Sequence, residues 1–164
     1  MAAQLVLIGG ASRSGKSSIA QALVGEFQNC LHLDLDDFVK PHNVLPTIND
    51  RIDWEQPQSI NWHLLLEVIE QNESRQSLLI MEGIFAFCHQ DLNRKATVKA
   101  YLTLERDTFF RRRKQETRWG TEPEWYLQHV WNAHLQWKNP YDTSIDVVGE
   151  ANEQFVQQII SKLR

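Results

Sequence analysis

Cysteine is scarce in this sequence: Cys30 and Cys88 are the whole supply in 164 residues. Neither belongs to a CxxC pair or a metal-ligand spacing, which excludes a disulfide scaffold or zinc module and leaves two buried, reduced thiols as the expectation. No apolar run approaches the ~20 residues of a membrane span. The apolar start "MAAQLVLIGG" has no basic leader and runs straight into a glycine-rich motif, so it reads as a first strand and not as a signal peptide. Basic excess is missing too. The 17 Lys and Arg against 21 Asp and Glu leave a net charge of −4, which argues against a chain that grips nucleic acid. The six histidines show no HExxH or paired-ligand spacing. His129 and His134, five apart, would not share a helical face, and His129 is the one that could line a pocket. Repeats, low-complexity tracts and linkers are absent. What remains is an ordinary composition, long enough for one core without staples: a single cytoplasmic domain over 1–164, monomer or homodimer.

Short apolar runs alternate with helical patterns, which predicts α/β, a doubly wound parallel five-stranded sheet. Strands are expected at 4–8, 30–35, 77–81, 98–104 and 145–149. Helices are expected at 17–27, 60–72, 105–117 and 122–137, with "NEQFVQQIISKL" closing the chain. Residues 40 to 59, punctuated by Pro41, Pro46 and Pro57, read as loop.

The strongest signal is "GGASRSGKSS", which holds Gly10, Ala11, Ser12, Arg13, Ser14, Gly15, Lys16, Ser17 and Ser18 in the pattern GxxxxGKS. Glycines let the backbone curl so that successive N–H groups point at phosphate oxygens, and the following helix adds its positive end. Lysine at this spacing reaches the β- and γ-phosphates, and the next hydroxyl ligates Mg²⁺. The motif lies between an expected strand and an expected helix, the context it requires. It therefore implies a nucleoside triphosphate and Mg²⁺, and makes the expected sheet one of the P-loop NTPase type.

A phosphate cradle alone does not choose among GTPases, motors and kinases. No NKxD guanine motif occurs, and "LLIMEG" offers a single acid, Glu82, where energy-transducing ATPases carry an Asp-Glu pair. A kinase of a small acceptor is the better reading. Such an enzyme needs a group near the γ-phosphate to orient the acceptor hydroxyl. "HLDLDDFVKP" places Asp34, Asp36 and Asp37 at the carboxyl end of strand two, where ligands collect in doubly wound sheets. Period-two alternation puts Asp36 at the rim facing the nucleotide, Asp37 at the loop's start, and Asp34 one pair back in a structural role.

In that order, "GxxxxGKSS", "LDLDDFVKP", "DWEQPQSIN", "LLIMEGIFAF", "RRRKQETRWG" and "YLQHVW" resemble the nicotinamide riboside kinase and uridine kinase family, over about residues 4 to 137. The "DDFxKP", "EGxxxF" and "HVW" segments look closer to the nicotinamide riboside kinases. The resemblance implies that Asp36 is the catalytic base beside Mg²⁺, with Ser17 and Glu82 completing the metal site. Trp54 would pack on the base and Glu55 would hold ribose hydroxyls, with the neighbouring Asp53 able to take that role; Asp37 also falls at the substrate. Arg113 and Arg118 would reach ribose and phosphates from a helical lid over about 105–122, facing a substrate loop over about 38–60. Three positions depart from the family pattern. Glu55 stands for an aspartate, Val39 for an aromatic, and two extra residues separate "RRR" from "TR".

The residues themselves fit a lid. Arg111, Arg112, Arg113 and Arg118 are expected on the helix after strand four, with 111 and 118 on one face. Arginine stabilises a phosphoryl group in flight, and closure excludes water. Among six tryptophans, Trp125 and Trp131, with Leu127 and Leu135, are expected in the core. Trp54 and Trp119 lie in loop-like stretches and suit a flat ring, a cationic pyridinium above all. The expectation is an ATP- and Mg²⁺-dependent kinase acting on the 5′-hydroxyl of a ribonucleoside, nicotinamide riboside first. Uridine or cytidine, another small alcohol, or a non-catalytic ATP-binding module are the alternatives.

Overall fold

Gln4–Gly10 forms β1, buried from Leu5 onward, at the centre of the computed structural model, which describes residues 1–118 and 120–164. Trp119 lies outside the described residues. Among these residues β2 (Cys30–Asp34), β5 (Leu78–Glu82), β6 (Val98–Leu102) and β7 (Val147–Gly149) join β1 in one parallel sheet, in the order β2-β5-β1-β6-β7. A parallel sheet covered on both faces calls for strands that are apolar at every position, as "LVLI" and "LLIM" are. Val6, Ile8, Leu78, Ile80 and Ala100 face α1 (Lys16–Glu26) and α6 (Glu153–Leu163). Leu5, Leu7, Leu79 and Met81 face α2 (Trp62–Asn72) and the Phe85–Phe87 segment. The expected five-stranded doubly wound fold is the one observed.

The differences lie at strand ends and in the loops. β2 stops at Asp34, and Leu35–Phe38 is a 3₁₀ turn instead of the strand's last residue and a loop. The Asp34 carboxylate accepts the Asp36 N–H at 2.9 Å, a local bond that competes with the sheet ladder. Gly83 makes room for this turn: a Cβ there would sit 2.6 Å from the Leu35 Cβ. Inside the expected loop 40–59, β3 (Thr47–Ile48) and β4 (Arg51–Ile52) pair antiparallel. Asn49 and Asp50, both at positive φ, supply the two-residue turn that suits such a hairpin. A short helix α3 (Gln90–Lys95) precedes β6.

The charged helix α4 spans Arg106–Gln115 and α5 spans Glu124–Trp137. Arg118 therefore lies beyond the end of α4 and not on one face with Arg111. Glu116 ends the helix: extended at φ −75° and ψ 128°, it accepts the N–H groups of Thr117 and Arg118 on its carboxylate. Trp131 and Leu127 are buried against Phe109 and Phe110 as expected, but Trp125 is 39% exposed and Leu135 49%. Both lie on the face of α5 turned from that cluster, so they are not core.

Candidate active site

Three chain segments meet at the carboxyl edge of the sheet because of register. Asp34, Glu82 and Ile8 are level across β2, β5 and β1, so two acids stand two residues short of Gly10, where the phosphate loop begins. Gly15 (φ +101°) ends the loop and starts α1, and a Cβ on it would lie 2.7 Å from that of Ala151. There only glycine fits both the backbone and the space.

These segments border a cleft of about 1120 Å³. Ser12, Arg13, Gly15, Lys16, Ser17 and Ser18 line its donor end, with Gly10, Ala11 and Ser14 packed behind them. Asp36 and Glu82 line the cleft too, and Trp54, Glu55, Arg51 and Tyr126 form a further wall, in which the Arg51 guanidinium stands over the Tyr126 ring. Asp37 and Asp53, also expected at the substrate, do not line it.

Lys16 Nζ folds onto the Ala11 carbonyl at 2.7 Å. Burial lowers its pKa, against the pull of Glu82, Asp36 and Asp34. Ser17 Oγ donates to Glu82 Oε1 at 2.8 Å, and His32 Nε2 contacts the same oxygen at 3.2 Å. Burial would push the Glu82 carboxyl up, yet the bonds from His32 and Ser17 and the Lys16 charge hold it below the usual range. Asp36 is open to the cleft, but the walls desolvate it enough to raise its carboxyl, with Lys16 opposing. Asp34 rises to about 6, chiefly through burial. A hydroxyl and an ionised carboxylate share one point, with a second carboxylate nearby. This set of hard oxygen donors is chemically suited to Mg²⁺.

The arginines reach the loop from α4. Arg113, only 7% exposed, donates to both Glu122 oxygens at 2.6 and 3.1 Å and to Ser12 Oγ at 2.6 Å. Arg112 donates to the Arg13 carbonyl at 2.9 Å. Glu116 pairs with both Arg13 and Arg118 at 3.0 Å; the Arg118 bonds hold its carboxyl down at about 2. At the far wall, Asp53 accepts from Gln56 and from the Glu55 N–H, and its other contact is His129 at 2.9 Å. This fixes the irregular segment that carries Glu55 rather than offering a carboxylate to the cleft. Burial raises the Glu55 carboxyl to about 7.

Sequence reading did not single out His32, Arg51, Glu122 or Tyr126. His32 carried a legible signal: it precedes Asp34 by two strand residues and so shares its face. Arg51 and Tyr126 meet from segments far apart in the chain, and Glu122 reaches Arg113 nine positions back, across the connection between α4 and α5.

Comparison with known proteins agrees with the motifs. A family model described as chloramphenicol phosphotransferase-like protein matches residues 3–78. A nicotinamide riboside kinase of Schizosaccharomyces pombe is 22% identical over 93% of this chain and 86% of its own length. A uridine kinase of the same organism is 27% identical over 65% of this chain and 30% of its own length. The solved gluconokinase from Sinorhizobium meliloti superposes with a TM-score of 0.60 at 19% identity, covering 98% of this chain and 91% of that one. In sequence the chain is similar to nicotinamide riboside kinases and a uridine kinase, and in fold to kinases of the P-loop type.

Proposed function

We propose that this chain transfers the γ-phosphoryl group of ATP, with Mg²⁺, to the 5′-hydroxyl of a ribonucleoside, nicotinamide riboside first. One observation carries the reading: the phosphate loop, the acids Asp36 and Glu82, and the Trp54–Glu55 wall all open onto the same cleft. A donor and an acceptor held at the two ends would meet over the acids. Phosphoryl transfer asks little covalent chemistry of a protein, so the work is positioning and charge neutralisation.

Lys16 and the loop amides hold the triphosphate, and Lys16 exchanges the Ala11 carbonyl for a phosphate oxygen. Ser17, Asp36 and Glu82 would hold Mg²⁺, which supplies neutralisation of the phosphate charge. Asp36 orients the acceptor hydroxyl and takes its proton. Trp54 packs on the base, and Glu55 hydrogen-bonds the ribose diol from the segment that Asp53 braces. Arg113, anchored by Glu122 beside Ser12, and Arg118 contribute positive charge along the transferring group. A cytoplasmic setting, where ATP is abundant and thiols stay reduced, suits the two free cysteines.

The test is ADP release with a panel of acceptors: nicotinamide riboside, uridine, cytidine, gluconate and pantothenate. Turnover is expected with nicotinamide riboside. Turnover with uridine and none with nicotinamide riboside would move the assignment to a pyrimidine nucleoside kinase, which the similarity to a uridine kinase also supports. Tight ATP binding without turnover on any acceptor would make the chain a nucleotide-binding regulatory module.

A further inference from the structure

The proposed reaction leaves His32 without a task, although its ring touches the acid that closes β5. Register explains the contact. His32 is level with Ile80 and Asp34 with Glu82, so His32 is the diagonal neighbour of Glu82 across the β2–β5 pair. Period-two alternation puts His32, Asp34 and Glu82 on the face of the sheet where Ile80 packs, the face that α1 covers. Ser17 belongs to α1, so a hydroxyl and an imidazole reach one carboxylate from two different elements.

Both contacts fall on the same oxygen. Ser17 Oγ donates to Glu82 Oε1 at 2.8 Å, and His32 Nε2 stands 3.2 Å from it. An ionised carboxylate only accepts, so Nε2 is the ring nitrogen that carries the hydrogen. Among the described residues, Glu82 Oε2 accepts no hydrogen bond. The Glu82 side chain is 2% exposed against 22% for His32, so its partners and not bulk water set its orientation. Placing the Ser17 hydrogen on Oε1 keeps the hydroxyl lone pairs for a hard cation, and keeps Oε2 for that cation or its water. This requires Oε1 to stay where it is. Ser17 alone is a single bond about which the carboxylate turns; His32 supplies the second point of attachment.

We propose that His32 is a positioning residue, whose Nε2–H fixes Glu82 so that the carboxylate and Ser17 are set for Mg²⁺ before the ion binds. The inference rests on the kinase reading for the metal, and does not depend on which acceptor is used.

The test follows Mg²⁺ in two ways. Without acceptor, at saturating ATP, Tm is recorded as free Mg²⁺ is raised; with whichever acceptor of the panel turns over, the Mg²⁺ concentration for half-maximal ADP release is measured. In His32→Leu both midpoints should rise by roughly tenfold or more, the usual effect of removing a group that holds a metal-binding side chain. ATP affinity in EDTA, set by Lys16 and the loop amides, should stay at the wild-type value. His32→Gln, whose amide nitrogen reaches about as far as Nε2, should recover most of the shift. His32→Asn stops short of Glu82 and should not; it replaces the leucine variant if that one does not fold. Wild-type Mg²⁺ midpoints in the leucine or asparagine variant, or a loss in His32→Gln equal to theirs, would overturn the role of His32 and leave the kinase reading intact. A wild-type chain that binds ATP and gains nothing from Mg²⁺ would overturn the metal site and this inference together. Failure to phosphorylate any acceptor would end the kinase reading, while the Tm titration would still decide on His32.

Discussion

Replacing Glu55 by Gln should change how stability depends on pH. Glu55 is 7% exposed, and burial raises its carboxyl from an ordinary 4.5 to about 7. Between those values the folded chain keeps a proton that the unfolded chain has released. Stability therefore falls as pH rises through this window, the direction expected when the native state binds more protons. At about 1.4 kcal/mol per pKa unit the whole rise is worth roughly 3 kcal/mol. For a chain of this size each kcal/mol moves Tm by about 2–4 °C, which puts the effect near ~10 °C.

Other groups tilt the background. Asp34 and Asp36 are also raised and act in the same direction, while Asp53 and Glu82 are lowered and oppose them. The informative quantity is thus the difference between variant and wild type, measured by thermal melts followed by circular dichroism at pH 5 and pH 8. Glu55→Gln keeps the shape and hydrogen-bonding capacity but cannot ionise. It should match the wild type at pH 5 to within a few degrees and melt well above it at pH 8. Parallel pH profiles for the two proteins would refute the reasoning. The same variant should bind the acceptor more weakly, because a carboxyl that lowers stability at neutral pH fits a functional role better than a structural one.

Two further predictions concern the centre and the arginine wall. Asp36→Asn should keep ATP affinity, read by isothermal titration, and lose roughly 10²- to 10⁴-fold in kcat, the usual contribution of a positioned base; normal turnover would remove Asp36 from that role. Glu122→Ala leaves Arg113 without its bidentate carboxylate where both side chains are under 9% exposed. The loss should be about 3 kcal/mol, at the low end for a broken buried pair because Ser12 still accepts from Arg113. A melt within a degree or two of the wild type would show that the pair contributes little.

Local patterns were legible in the sequence and distant pairings were not. The phosphate loop could be read because its chemistry is set by eight consecutive residues between a strand and a helix. Glu82 was legible as the acid closing an apolar strand. Strand alternation carried the reading up to Asp34 and then failed, because one side-chain bond from Asp34 to the Asp36 amide turns the chain into a 3₁₀ turn. Arg118 was placed on a helix by spacing alone, but Glu116 stops that helix by capping the next two amides. The bond from Arg113 to Ser12 joins residues 101 positions apart, and His32 reaches Glu82 across 50. No periodicity in the intervening sequence records either contact.

The distribution of partners in the cleft separates two tasks. Around the phosphate loop the arginines are tied to carbonyls, hydroxyls or acids of the protein, which restricts their orientation, while Lys16 is the cation whose carbonyl partner has to be exchanged. The other side of the cleft is lined from the loop over 38–60, in which the Asn49–Asp50 turn sets the register of the β3–β4 pair and the side chains of Lys40 and Arg51 make no hydrogen bond or ion pair among the described residues. That hairpin lies outside the main sheet, so its residues can change without disturbing the rows that align Asp34, Glu82 and Ile8. On the proposed function, phosphoryl transfer falls to the sheet edge and acceptor choice to this appended element. Substitutions in the hairpin should then shift KM among acceptors, whereas substitutions along the sheet edge should lower kcat for all of them.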